Sequence, residues 1–127
     1  MPQRILLAAN DSGFGDGLKE LFEQRGYEVT LVGDGITLLK NIDEIEPAVI
    51  IAEREIPLVC GVDALRRLRA TPDRARYLVI VYSDRAEFAS ELLSLGGKFV
   101  SKKAADAIVV MASALAHGWR TINCVHA

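Results

Sequence analysis

Glu46-Pro47-Ala48-Val49-Ile50-Ile51-Ala52-Glu53-Arg54-Glu55-Ile56-Pro57 is the stretch on which the fold turns. Five apolar residues run without a break from Ala48 to Ala52 and are followed at once by three charged ones. A strand with one wet face would alternate; a strand apolar on both faces belongs in the middle of a parallel sheet covered by helices on each side. Before it, Leu38, Leu39, Ile42 and Ile45 stripe a helix that Pro47 closes. Further upstream, Ile5 to Ala9 reads as a buried strand, and Phe14, Leu18, Leu21 and Phe22 fall on one helical face. Gly26 stands where a left-handed helix stop belongs, and Glu28 to Val32 makes a second strand. Downstream, Leu65 and Leu68 mark a helix ended by Thr71-Pro72, and Tyr77 to Tyr82 a fourth strand. Phe88, Leu92 and Leu95 stripe the next helix, Lys98 to Ser101 forms a short strand, and residues 104 to 117 a last helix. Five strands and five helices alternate strictly.

Right-handed crossovers wind such a chain into an α/β, three-layer, doubly wound parallel sheet, with flavodoxin-like strand order 2-1-3-4-5 expected at this length. The 127 residues suit one core, and a net charge of −2 gives no reason to expect nucleic acid or an anionic membrane as partner. Residues 1–118 are expected to form the domain and 119–127 a C-terminal tail. No apolar run approaches the roughly 18 to 20 residues of a membrane span. The first ten residues run straight into a strand pattern without a cleavage region, and Cys60 and Cys124 have no metal or redox spacing. A reducing cytoplasm is the expected location.

In sheets of this kind the site lies outside the carboxyl ends of the strands, which directs attention to Ala9 to Asp11, Glu53 to Pro57, Ser83-Asp84 and Ser101 to Lys103. Together with Arg4-Ile5-Leu6-Leu7, Gly26-Tyr27-Glu28-Val29, Asp34-Gly35, Gly61 and Ala64-Leu65-Arg66-Arg67-Leu68-Arg69, these residues resemble the receiver domain of bacterial two-component response regulators. The pattern can be laid on residues 4 to 80 without a gap, after which the fourth helix region is about three residues short. The resemblance implies a phosphoacceptor aspartate at the end of the third strand, with magnesium between it and an acidic pair. Here the acceptor position is Glu53, and the pair is Ala9 and Asn10, with Asp11 following. Magnesium wants near-octahedral oxygen ligands at about 2.0 to 2.1 Å. Alanine offers none, asparagine a neutral one, and the extra methylene of Glu53 carries its carboxylate into the space the metal would fill. Misplacement by roughly 1 Å can cost about a hundredfold in a positioned reaction. No useful phosphorylation and no magnesium are therefore expected.

By the same resemblance, Ser83 takes the place of the hydroxyl that follows the phosphoryl group and Lys102 that of the lysine after the fifth strand. The register leaves Lys103 as an alternative, and it stands where the family usually has proline. A standing Glu53–Lys102 ion pair is expected to imitate a phosphorylated state. Asp11 and Ser12 read as helix N-caps, and Phe99 as a plain core or edge aromatic with a switch role as its alternative. The arginines 66, 67, 69, 74 and 76 read as a solvated face balanced by acids, or as a docking patch.

Two features point elsewhere. Gly13, Gly15 and Gly17 alternate where the first helix should begin, and a strand-to-helix loop of that kind exposes amides that hold anions. With Asp34 in the place of a ribose-binding acid, a small phosphate- or nucleotide-binding module is a minor alternative, although G-x-G-x-G is not the G-x-G-x-x-G fingerprint. The last helix leaves Ala107, Val110 and Ala114 on its outer side, broken only by Asp106, Ser113 and His117. Such a face suits a protein partner or an adjoining domain, with a homodimer as one form, and the resemblance places docking on the fourth helix, fifth strand and fifth helix. No nucleophile, base and orienting group assemble, so no enzyme is expected. A regulator that still accepts phosphate on its altered site is the remaining alternative.

Overall fold

The computed structural model describes residues 2–85 and 89–126. Strands β1 (Arg4–Ala8), β2 (Glu28–Val32), β3 (Val49–Glu53), β4 (Val79–Ser83) and β5 (Lys98–Ser101) alternate with helices α1 (Ser12–Gln24), α2 (Gly35–Ile45), α3 (Gly61–Ala70), α4 (Ala89–Ser94) and α5 (Ala105–His126). One parallel sheet results, in the order β2-β1-β3-β4-β5. Its helices lie on both faces, as the apolar run of β3 requires, and every residue of that strand is buried. Leu6, Ile50 and Val79 pack with Leu38, Ile42, Leu65 and Leu68 beneath α2 and α3. Ile5, Ile51 and Tyr82 point the other way and pack with Leu18, Phe22, Ile108 and Ala112 from α1 and α5.

Local chemistry fixes the ends of the elements. Asp11 and Asp34 are N-caps, their carboxylates accepting the Phe14 and Thr37 amides. Gly26 has φ +89°, the left-handed stop after α1. Arg69 is not a solvated cation: its guanidinium donates to the carbonyls of Ala75, Tyr77, Leu95 and Gly96, tying the end of α3 to the end of α4. Arg66 does meet acids, Asp63 and Glu91, and Arg74 meets Asp43.

β1 and β4 shift by one or two residues from the expected bounds, and three other departures matter more. β3 runs one residue further, so that Glu53 is the last residue of the strand, opposite Tyr82. α5 passes through Gly118 without a break to His126, beyond the expected helix end at 117. A single helical glycine costs only about 1 kcal/mol, and no proline follows to stop the helix. Gly13, Gly15 and Gly17 form no loop and lie in the first two turns of α1. A Cβ on Gly15 would meet the Ala9 Cβ at 2.8 Å and Leu31 at 3.2 Å, so glycine lets α1 approach the sheet closely, while Gly17 faces open space. Phe88, and the docking expected of the Trp119 to Val125 side chains, lie outside what is described.

Candidate functional site

The carboxyl ends of β1, β3, β4 and β5 bring five polar side chains together: Asp11, Glu53, Glu55, Ser83 and Lys102. Register does much of this work. Glu53 pairs with Tyr82, Ser83 pairs with Ser101, and the ladder continues past the strand ends through Arg54 N–H to Tyr82 O and Lys102 N–H to Ser83 O. The residue after β5 is thereby fixed beside the end of β4, from where its side chain reaches Glu53.

Glu53 is only 4 % exposed, and both of its oxygens are occupied. Oε1 accepts the Asn10 and Asp11 backbone amides at 2.9 and 3.1 Å. Oε2 lies 3.2 Å from Lys102 Nζ, and the same ammonium lies 3.1 Å from Asp11 Oδ2. Lys102, rather than Lys103, makes these contacts, and its Nζ also sits 5.3 Å from the centre of the Phe14 ring. The Asn10 side chain is exposed and enters the site through its backbone N–H.

Charge balance follows from these contacts. The Phe14 amide, and after it the Lys102 ammonium, hold the Asp11 carboxyl below its ordinary value. Desolvation alone would lower Lys102, but its hydrogen bonds to Asp11 and then Glu53 outweigh it and raise the ammonium above the usual lysine value. Burial first, and then the negative charges of Glu53, Asp11 and Glu55, push the Tyr82 hydroxyl upward. That hydroxyl is buried without a hydrogen-bond partner among the described residues, and its ring packs 5.1 Å from Phe14.

Ser83 is fully buried, and its hydroxyl donates towards Glu55, whose oxygens lie 3.0 and 2.8 Å away. Sequence reading places Ser83 at the site and draws attention to Glu53 to Pro57, but gives the exposed Glu55 within that stretch no role, because no spacing marks it. Phe14 was read only as core. The glycines expected to form an anion-holding loop lie instead in helix α1. The Gly15 amide bonds the Asp11 carbonyl within the helix, and the Phe14 amide is taken by the Asp11 carboxylate. The groove of about 400 Å³ beside Gly13 and Gly17 is lined otherwise by Phe14, Leu18, Leu21 and Ala105, carbon surface unsuited to phosphate. Asp34 spends both oxygens on Thr37. Phe99 is half-buried against the cluster beneath α2 and α3, whereas Ala107, Val110 and Ala114 are exposed. Among the described residues, no three His, Cys, Asp or Glu side chains converge on a metal-sized point, and no helix is long and apolar enough to cross a membrane.

Residues 5–113 match the family described as response regulator receiver domain. The chain belongs to that family. The response regulator MprA of Mycobacterium sp. strain KMS is 31% identical over 84 residues, which are 66% of this chain and 36% of that protein. The chain thus spans little more than a third of the length of that curated relative. Among solved structures, the receiver domain of the Francisella response regulator 1452 is similar at a TM-score of 0.82 and 25% identity, over 91% of this chain and 97% of that one. The signal receiver domain of a protein described as a Luxo repressor, from Vibrio parahaemolyticus, superposes at 0.89 with 20% identity, over 100% and 99% of the two chains. At that identity it speaks for the fold alone. The receiver fold, with its sheet order and five helices, is therefore shared, and it sets the Glu53, Ser83 and Lys102 cluster at the strand-end face.

Proposed function

We propose that this receiver domain signals by binding a protein and without phosphoryl transfer, its strand-end site being held permanently by its own charges. One observation carries the reading: the Lys102 ammonium bridges Glu53 Oε2 and Asp11 Oδ2 while two backbone amides fill Glu53 Oε1. A free acceptor carboxylate and a cation-binding acid are both prerequisites for in-line transfer, and both are already engaged. Magnesium does not fit these residues. Ala9 has no side-chain oxygen, and the Glu53 and Asp11 carboxylates share an ammonium that would have to be expelled. A part-buried pair of this sort fixes one conformation more than it adds stability.

The expected output is contact. On the face of α4, β5 and α5, Leu93 and Val110 are 59 % and 60 % exposed, with Ala107 and Ala114 open beside Val110 and Phe99 half-covered. Apolar side chains at that exposure on neighbouring elements suit another protein, an adjoining domain or a second copy. A soluble, non-enzymatic role in the cytoplasm is the setting that accords with this.

Incubation with magnesium and acetyl phosphate, followed by intact-mass measurement, tests the proposal. The mass is expected to stay unchanged. An adduct of one phosphoryl group mapping to Glu53 would establish the chain as a working regulator instead.

A further inference from the structure

Ser83 poses a question that the Glu53–Lys102–Asp11 cluster does not answer. Its side chain is fully buried at the end of β4, where a hydroxyl must find partners inside the protein. It donates to the Glu55 carboxylate and at the same time accepts the Arg85 N–H at 3.0 Å. Glu55 in turn takes Arg54 Nη1 at 3.0 Å. A continuous chain of polar contacts thus joins the segment after β3 to the segment after β4, and its central bond is charge-assisted. The Lys102 ammonium serves Asp11 and Glu53, and Glu55 has Arg54 as its cation. Two attractions hold it in place, the buried hydroxyl of Ser83 and the guanidinium of Arg54.

We propose that Glu55 is a positioning residue, a resident acceptor that fixes the Ser83 hydroxyl and through it the first residues of the segment leading to α4. It acts apart from the Glu53 cluster, which holds the β1 end through Asn10 and Asp11. The inference rests on the preceding reading in one respect: Ser83 has a permanent partner in the chain and not a transferred group. Arg85, at the start of the segment leading to α4, is then held by a carboxylate that neither phosphate nor metal needs to create.

Amide hydrogen exchange of the whole chain, followed by NMR, tests the latch. Glu55→Ala and Ser83→Ala are each expected to speed exchange of the Arg85 amide about tenfold. The double variant should exchange no faster than Ser83→Ala alone, because both act on one chain of bonds. Glu55→Gln keeps an acceptor oxygen and should fall between wild type and Glu55→Ala. The Asn10 and Asp11 amides should stay protected in all of these and open only in Glu53→Ala, which removes their acceptor. Arg85 exchange within about twofold of wild type in Glu55→Ala overturns the proposal, as do additive effects in the double variant. A phosphoryl adduct would remove the phosphorylation-independent reading while leaving this exchange pattern to be judged separately.

Discussion

At Glu53 one side chain ties the site together. It reaches the Asn10 and Asp11 amides and Lys102 at once, so a buried carboxylate gains three donors. Removing the cation should therefore hurt more than its partial exposure suggests, because a buried charge is left behind. Lys102→Ala is expected to lower unfolding free energy by about 2 kcal/mol, below the usual 3 to 5 because the two amides remain. Urea denaturation measures it, and Glu53→Gln combined with Lys102→Met should recover part of the loss. Asp11 gives a separate handle through pH. Its carboxyl is held below the ordinary 3.8 in the folded chain, so it binds fewer protons there than when unfolded. Its contribution is fully present above that value and fades as pH falls through the lower, folded one. Asp11→Asn should flatten the acid arm of a stability profile below about pH 4 and leave the slope between pH 5 and 8 unchanged. Equal acid slopes in the two proteins would show that Asp11 does not carry this linkage. Residue order pointed to the Glu53–Lys102 pairing, the Asp11 cap and the place of Ser83, whereas Glu55 and Phe14 reach the site only through the turn after β3 and the first turn of α1.

Among the elements, periodicity revealed what is buried and misread what is bare. The unbroken run of β3, the stripe of α2 and the stop at Gly26 follow from hydrophobic period and backbone sterics, which act locally. Gly13, Gly15 and Gly17 looked like a ligand loop because helix propensity argues against three glycines in a row of turns. Packing decided otherwise: Asp11 caps the helix, and the fit of Gly15 against Ala9 and Leu31 is a tertiary fact. The distinction is measurable. Gly17→Ala adds a Cβ into open space and should stabilise the chain by about 0.5 to 1 kcal/mol, as in any exposed helix interior. Gly35→Ala should cost about 3 kcal/mol, because its Cβ would overlap the backbone carbonyl of Val59 and no rotamer relieves a backbone clash. Thermal melts of both variants suffice, and a destabilised Gly17→Ala would return that glycine to a role the helix does not explain.

On the scale of the whole molecule, the sheet order was legible because a strictly alternating βα chain has few right-handed ways to wind. The position of α5's far end was not, since nothing in its sequence stops a helix before His126. The same architecture assigns two jobs to adjacent residues on the outer helices. On α4, Leu92 is fully buried while its neighbour Leu93 is 59 % exposed; on α5, Ile108 is fully buried while Val110, half a turn on, is 60 % exposed. If the outward residues serve a partner rather than the core, they can be charged without harm to the fold. Leu93→Asp with Val110→Asp should shift unfolding free energy by no more than about 0.5 kcal/mol per site, the ordinary surface range. Leu92→Ala and Ile108→Ala should each cost about 2 to 5 kcal/mol for the cavity and lost transfer energy. Urea titration reads both pairs, and sedimentation of the charged variant beside wild type reports whether a second copy uses the face. A charged pair that costs as much as the alanine pair would mean that these side chains already belong to the core, leaving α4 and α5 no apolar surface to offer a partner.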